Sequence, residues 1–301
     1  MKDVARAAGV SAATVSFVLN ETPGQTIRPE TSQRVRDAAR ALGYKPHSIG
    51  RALREGASRV VVLDVGPFAG GNSLDSFIAG MADEVSKCGH VLFVHHGEPD
   101  ALLAVIDAIN PRAVVDVLHP FANEEPASPD GGWAYGLAAH TFTQFRYLVE
   151  RGHKRIAFAA PEASPLLALV SSRLEHMQRA CTELGIQPAE LLTVSTERLR
   201  VAEAIQQLLV ENPDVSAIAA FDDDVALGVL GAMNTLRLHA PKDLAVIGFD
   251  DTAHGALWSP RLTTVHIDAE TYGRRAARSA LGQTDGQWPA IPSTVIARDS
   301  A

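Results

Sequence analysis

Hydrophobic residues in the first sixty positions recur at helical spacing in three short blocks. From Val60 onward they gather into brief runs separated by longer amphipathic stretches. In the opening block, Asp3 to Ala8 and Ala12 to Leu19 read as two helices broken at Gly9-Val10-Ser11, the short glycine-containing turn of a helix-turn-helix. Ser11 suits the N-cap of the second helix. Val15, Val18 and Leu19 fall at i, i+3 and i+4 and face inward, which leaves Ala12, Ala13, Ser16 and Phe17 outside. A third helix opens at Pro29 and stops at Gly43. Its predicted apolar stripe is Val35, Ala38, Ala39 and Leu42, with Arg34, Arg36 and Arg40 on the outer side. After Pro46, His47 to Glu55 spells one more short helix ended by Gly56. With Gly50 inside it, that helix is marginal alone, and it either orders on binding a partner or is an ordinary linker.

Beyond Arg59, strands are predicted at 60–63, 91–94, 113–118, 155–160, 191–194, 216–221, 243–248, 262–266 and 294–297. Helices are expected at 74–88, 101–109, 144–150, 172–184, 201–211, 225–237 and 272–281, with an irregular stretch over 120–132. Strands alternating with helices of about 10–15 residues predict parallel, doubly wound sheets, and the number of units suits two lobes. Ligands of such sheets bind beyond the carboxyl ends of the strands, here in a cleft between lobes.

Charge divides the chain more sharply than composition does. Residues 1–59 hold ten Lys/Arg against five acids, whereas the remainder holds 17 basic and 30 acidic residues. A net +5 head on a −13 body is the pattern of a polyanion-binding module joined to a larger domain. At 301 residues and 46% hydrophobic the chain can build a sizeable core. It shows no apolar run of membrane-spanning length and no signal-peptide pattern, so a cytoplasmic protein is expected. Cys88 and Cys181 read as small buried hydrophobes, and His95-His96 as loop histidines with satisfied partners. No nucleophile–base pair, zinc spacing or phosphate loop stands out, so neither an enzyme, a cofactor nor a metal site is expected.

Asp3-Val4-Ala5, Ala8-Gly9-Val10-Ser11, Thr14-Val15-Ser16, Leu19-Asn20, Leu42-Gly43-Tyr44-x-Pro46 and Arg51-x-Leu53 together resemble the DNA-binding head of the lac repressor/galactose repressor (LacI/GalR) family of bacterial regulators. The resemblance implies that Ser11, Thr14, Ser16, Asn20 and Tyr44 touch phosphates while Ala12, Ala13 and Phe17 face major-groove bases. It implies that His47, Arg51 and Leu53 belong to a minor-groove hinge helix, with Leu53 the intercalating wedge. Position 17 is commonly Arg in the family. Neither Phe17 nor the two alanines can hydrogen-bond a base edge, so readout leans on thymine methyls, backbone contacts or DNA shape. The loop after the second helix is about two residues longer than the family's, and Met1 stands where relatives have a helix residue.

Farther along, Glu150 to Phe158, Asp223-Asp224-Val225-Ala226-Leu227-Gly228, Val246 to Asp251 and Ser259-Pro260-x-Leu262-Thr263-Thr264-Val265 resemble the same family's core, which is shaped like a type I periplasmic sugar-binding protein. The implied fold is α/β: a three-helix head at 1–45, a hinge at 46–58 and a two-lobed effector domain at 59–301. The N-lobe would take about 59–137 plus 267–290 and the C-lobe 138–266 plus 291–301. Arg173, Asp222 and Asp250 match positions where relatives hold a small-molecule effector, and guanidinium and carboxylates suit a polyol. Asp222-Asp223-Asp224 equally reads as the cap of the following helix, and Arg173 as a surface residue. Gly66 to Asn72 replaces the usual polar-aromatic loop, Tyr135 to Thr141 stands where an Asp-Asn segment is expected, and the body is short around 119–135. Those departures leave open an effector other than a sugar, or none. The resemblance implies a transcription regulator, a repressor, that binds a near-palindromic operator as a homodimer. A plain solute-binding protein is the alternative.

Overall fold

The computed structural model describes residues 1–19, 24–44, 56–67, 71–117, 133–162, 167–283 and 292–301. It divides into two compact units, residues 1–60 with 104–112 and residues 61–103 with 113–301. At the start of the first unit lie α1 (Lys2–Ala8), α2 (Ala12–Leu19) and α3 (Pro29–Ala41). They close on Val4, Val15, Val18 and Val35, all 5% exposed or less, with Leu19, Ile27, Ala38 and Tyr44 packed around them. Ser11 Oγ accepts the Thr14 N–H at 3.1 Å, the N-cap bond expected for α2. One position of the predicted stripe is wrong: Leu42 is 51% exposed. The helix ends at Ala41, and Gly43 turns the chain at φ +58°, so Leu42 lies beyond the last turn that faces the core. The hinge residues 47–55 lie outside the described residues, as do 20–23.

The elements that follow are β1 (Val60–Asp64), α4 (Asn72–Lys87), β2 (Val91–His95), α5 (Pro99–Ile109), β3 (Ala113–Asp116) and α6 (Trp133–Glu150). Then come β4 (Ile156–Pro161), α7 (Leu167–Glu183), β5 (Glu190–Val194), α8 (Arg198–Glu211), β6 (Ala217–Ala220), α9 (Asp223–Thr235) and β7 (Ala245–Ile247). The series ends with α10 (Ala253–Leu257), β8 (Thr264–His266), α11 (Ala269–Ala280) and β9 (Thr294–Ile296). One sheet has the order β2-β1-β3 and the other β5-β4-β6-β7, the second parallel throughout, as the strand–helix alternation predicts. β4, β6 and β7 are buried almost end to end, which is why they read as unbroken apolar runs. Helices α4 and α11 cross so closely that a Cβ on Gly80 or Gly273 would lie 2.0 Å from the Glu270 or Phe77 carbonyl oxygen.

The strand pairing at the end of the chain and the extent of one helix need correction, and one short helix was not predicted. β8 and β9 pair antiparallel with each other, although Thr263, just before β8, bridges Ile247 of β7 in parallel. The short α10, capped by Thr252, was not legible, because one turn offers no periodicity. The helix expected at 144–150 begins at Trp133. Its buried face runs Leu137, His140, Thr141, Gln144, Phe145, Leu148, a regular i, i+3, i+4 stripe whose middle is polar. Hydrophobic spacing alone therefore detected only its last two turns. Cys181 is buried as expected, whereas Cys88 is only partly so and donates to Gln283 Oε1 at 3.3 Å.

Candidate nucleic-acid interface and effector cleft

With Val15 and Val18 committed to the head core, α2 and its cap leave Ser11, Ala12 and Ala13 exposed and Thr14, Ser16 and Phe17 partly so. The result is a low apolar ridge beside hydroxyls, small enough to enter a groove and able to touch thymine methyls. Ser11 Oγ is also 2.9 Å from Thr14 Oγ1, so these two hydroxyls hold each other in place. Tyr44 is half-consumed by packing on the head core. Asn20, His47, Arg51 and Leu53 lie outside the described residues.

In the body, polar residues converge at the carboxyl ends of the second sheet, where a doubly wound sheet receives ligands. Arg173 on α7 is 1% exposed, which excludes the surface alternative. Its guanidinium lies 3.7 Å from the Phe249 ring centre. It donates to Thr141 Oγ1 (3.2 Å), Gln144 Oε1 (3.0 Å) and the Ala220 carbonyl (3.3 Å). Burial pulls its pKa down to about 9, against the opposing pull of Asp222. His140, one residue before Thr141, is held down to about 4 by burial and by the Arg173 charge, so it is neutral at physiological pH.

Asp222 follows β6 and caps α9 by accepting the Val225 N–H at 2.7 Å, which satisfies the capping alternative. It remains partly exposed, and burial with its acidic neighbours pushes it up to about 6. Asp223 is a structural knot: fully buried, it accepts from Thr252 N, Thr252 Oγ1 and Thr264 Oγ1 at 2.5–3.0 Å.

Asp250, beyond β7, joins the two sheets' segments. Its carboxylate accepts the Ser73 N–H at 2.8 Å, at the first turn of α4, which follows β1. In return Asn72 Nδ2 donates to the Asp250 and Asp251 carbonyls at 2.9 and 3.1 Å. Asp250 and Asp251 both have positive φ, +124° and +50°, a strained conformation that this clasp helps to hold. Burial pushes the Asp250 carboxyl up to about 7, with the donors of Ser73 offsetting part of the rise. His95, expected in a loop, ends β2 and is bonded to Asp64 at 2.9 Å. Among the described residues no three His, Cys, Asp or Glu side chains are grouped as a metal site, and no helix is long and apolar enough to cross a membrane.

Sequence reading singled out Arg173, Asp222 and Asp250, and the structure places all three at carboxyl ends of the second sheet or against them. It missed Asn72, Ser73, His140, Thr141 and Gln144. The polar interruption of the α6 stripe was the available signal for the last three.

Residues 145–300 match the periplasmic binding protein-like domain, and residues 1–47 match the bacterial regulatory proteins of the lacI family. The chain belongs to the LacI/GalR family. It is a DNA-binding transcription regulator with an effector-type body, and residues 48–144 lie outside both matches. Among LacI/GalR relatives, the HTH-type transcriptional regulator GalR of Escherichia coli K12 is 29% identical over 323 residues, spanning 95% of this chain and 90% of that protein. The HTH-type transcriptional repressor PurR of Haemophilus influenzae KW20 is 26% identical over 310 residues, spanning 93% and 90%. The fold is shared with the lac repressor dimer bound to operator and the anti-inducer ONPF, with a TM-score of 0.76 at 21% identity covering 99% of this chain and 97% of that one.

Proposed function

We propose that this LacI/GalR member is a sequence-specific repressor that docks α2 in the major groove of a near-palindromic operator. The observation that carries this is the outward ridge of α2, whose inner face is spent on the head core while Ser11, Ala12 and Ala13 stay exposed. Two heads on one dimer would meet two half-sites, and the cationic charge of residues 1–59 supplies the phosphate attraction. A small molecule at Arg173, Asp222 and Asp250 would alter the Asp250–Ser73 clasp between the segments of the two sheets, and so the poise of the heads. The body is the proposed dimer contact. Leu257, 85% exposed, and Trp258, 40% exposed, form an apolar pair of the kind an interface covers.

Selection of duplexes from a random library, followed by gel shifts at rising salt, tests the reading. The expected result is one enriched two-fold motif bound in a salt-sensitive way; binding without sequence preference would refute it. In the same assay Leu53→Ala should weaken selected duplexes more than random ones, and equal loss on both would remove the wedge. Leu257→Asp should shift the protein from dimer to monomer in light scattering, and an unchanged mass would place the dimer contact elsewhere.

A further inference from the structure

Gln144 has no exposed surface although it lies at the carboxyl ends of the strands. Its Nε2 donates to the Ala220 carbonyl at 2.8 Å and the Gly248 carbonyl at 3.0 Å, with the Ile247 carbonyl farther off at 3.4 Å. Its Oε1 accepts from Arg173 at 3.0 Å. One carboxamide thus satisfies strand-end carbonyls and a buried guanidinium together, and the donor–acceptor pair it presents is what a bound polar molecule would present there. Nearby, the Arg173 Nε and the His140 Nδ1 are buried with no hydrogen-bond partner among the described residues, so the cluster still has capacity for a further polar group.

We infer that Gln144 is a resident occupant of the effector position, so that the Arg173 Nη2 group is open to a ligand only when Gln144 swings away. This rests on reading the body as an effector domain. The ligand class that fits the position carries an adjacent donor and acceptor: a carboxamide, or the paired hydroxyls of a polyol. A carboxylate, which cannot donate to the Ala220 and Gly248 carbonyls, is disfavoured there. Because the competent form is the minority one, the native chain binds such ligands weakly, and trimming the side chain removes that penalty.

Gln144→Ala deletes the atoms of acetamide, which is therefore the probe, with acetate as its isosteric control and D-ribose and D-glucose as polyols. Acetamide should raise the thermal midpoint of the full-length Gln144→Ala protein more than acetate does, while the native protein responds to neither. At least one of the two sugars should bind the variant about tenfold or more tightly than the native chain. Equal acetamide and acetate effects, no acetamide effect on a folded variant, or sugar binding as tight by the native chain would each overturn the inference. Should the variant not fold in buffer, refolding yield is read instead: recovery with acetamide alone supports the assignment, and recovery with both or neither overturns it. Operator binding by the native protein is scored separately, so its absence would sink the regulator reading and leave the glutamine result standing.

Discussion

Replacing Asp250 by Asn isolates the cost of a carboxylate enclosed at the Asn72–Ser73 clasp. The amide oxygen can still accept the Ser73 N–H that the carboxylate accepts at 2.8 Å, so the substitution removes charge while keeping the bond. Burial raises the native carboxyl from 3.8 to about 7, so between those values the folded chain holds a proton that the unfolded chain has released. Stability from this group is therefore present at low pH and lost as pH rises through that window. One proton's difference is worth about 1.4 kcal/mol per pH unit, hence roughly 2.7 kcal/mol between pH 5 and 7, a ceiling because solvent reaches part of the side chain. For a body of this size that is roughly 5–10 °C in the melting midpoint. Asp222 and Asp223 are raised in the same direction and persist in the variant, so Asp250→Asn should flatten the pH dependence without abolishing it. Thermal melts by circular dichroism at pH 5, 6, 7 and 8 read the difference directly. Parallel midpoint curves for the two proteins would show that the Asp250 carboxyl is not enclosed as described.

Ser11→Ala removes the cap of α2 and should cost the head about 1 kcal/mol, seen as an earlier low-temperature melting phase and weaker operator binding; an unchanged head would mean the cap is dispensable. Gly273→Ala would place a methyl 2.0 Å from the Phe77 carbonyl oxygen where α11 crosses α4, forcing those helices apart. The expected loss is about 1–3 kcal/mol in urea titration of the body, and native stability in that variant would contradict the close crossing.

How legible the molecule was depended on the range of the interactions involved. The head helices and most body strands follow from neighbours three or four positions apart, or from contiguous apolar runs, as Val15–Val18 and Val60–Leu63 illustrate. Helix α6 escaped for the opposite reason, since His140, Thr141 and Gln144 put polar atoms on its buried face. Arg173 was located by resemblance, yet whether it faced solvent or core could not be read from α7 alone. Its enclosure is set by Phe249 and by α6, segments remote in the chain.

The linear pattern by itself determined a small cationic helix-turn-helix followed by an alternating α/β body, because both are written in local periodicity and charge. Tertiary structure alone decided that Asp250 meets Ser73 across 177 residues, that β8 turns back to pair with β9, and that Gln144 fills the arginine's hydrogen-bonding face. Those outcomes depend on which distant segments share a buried space. There, a polar atom without water must find whichever partner the fold brings to it.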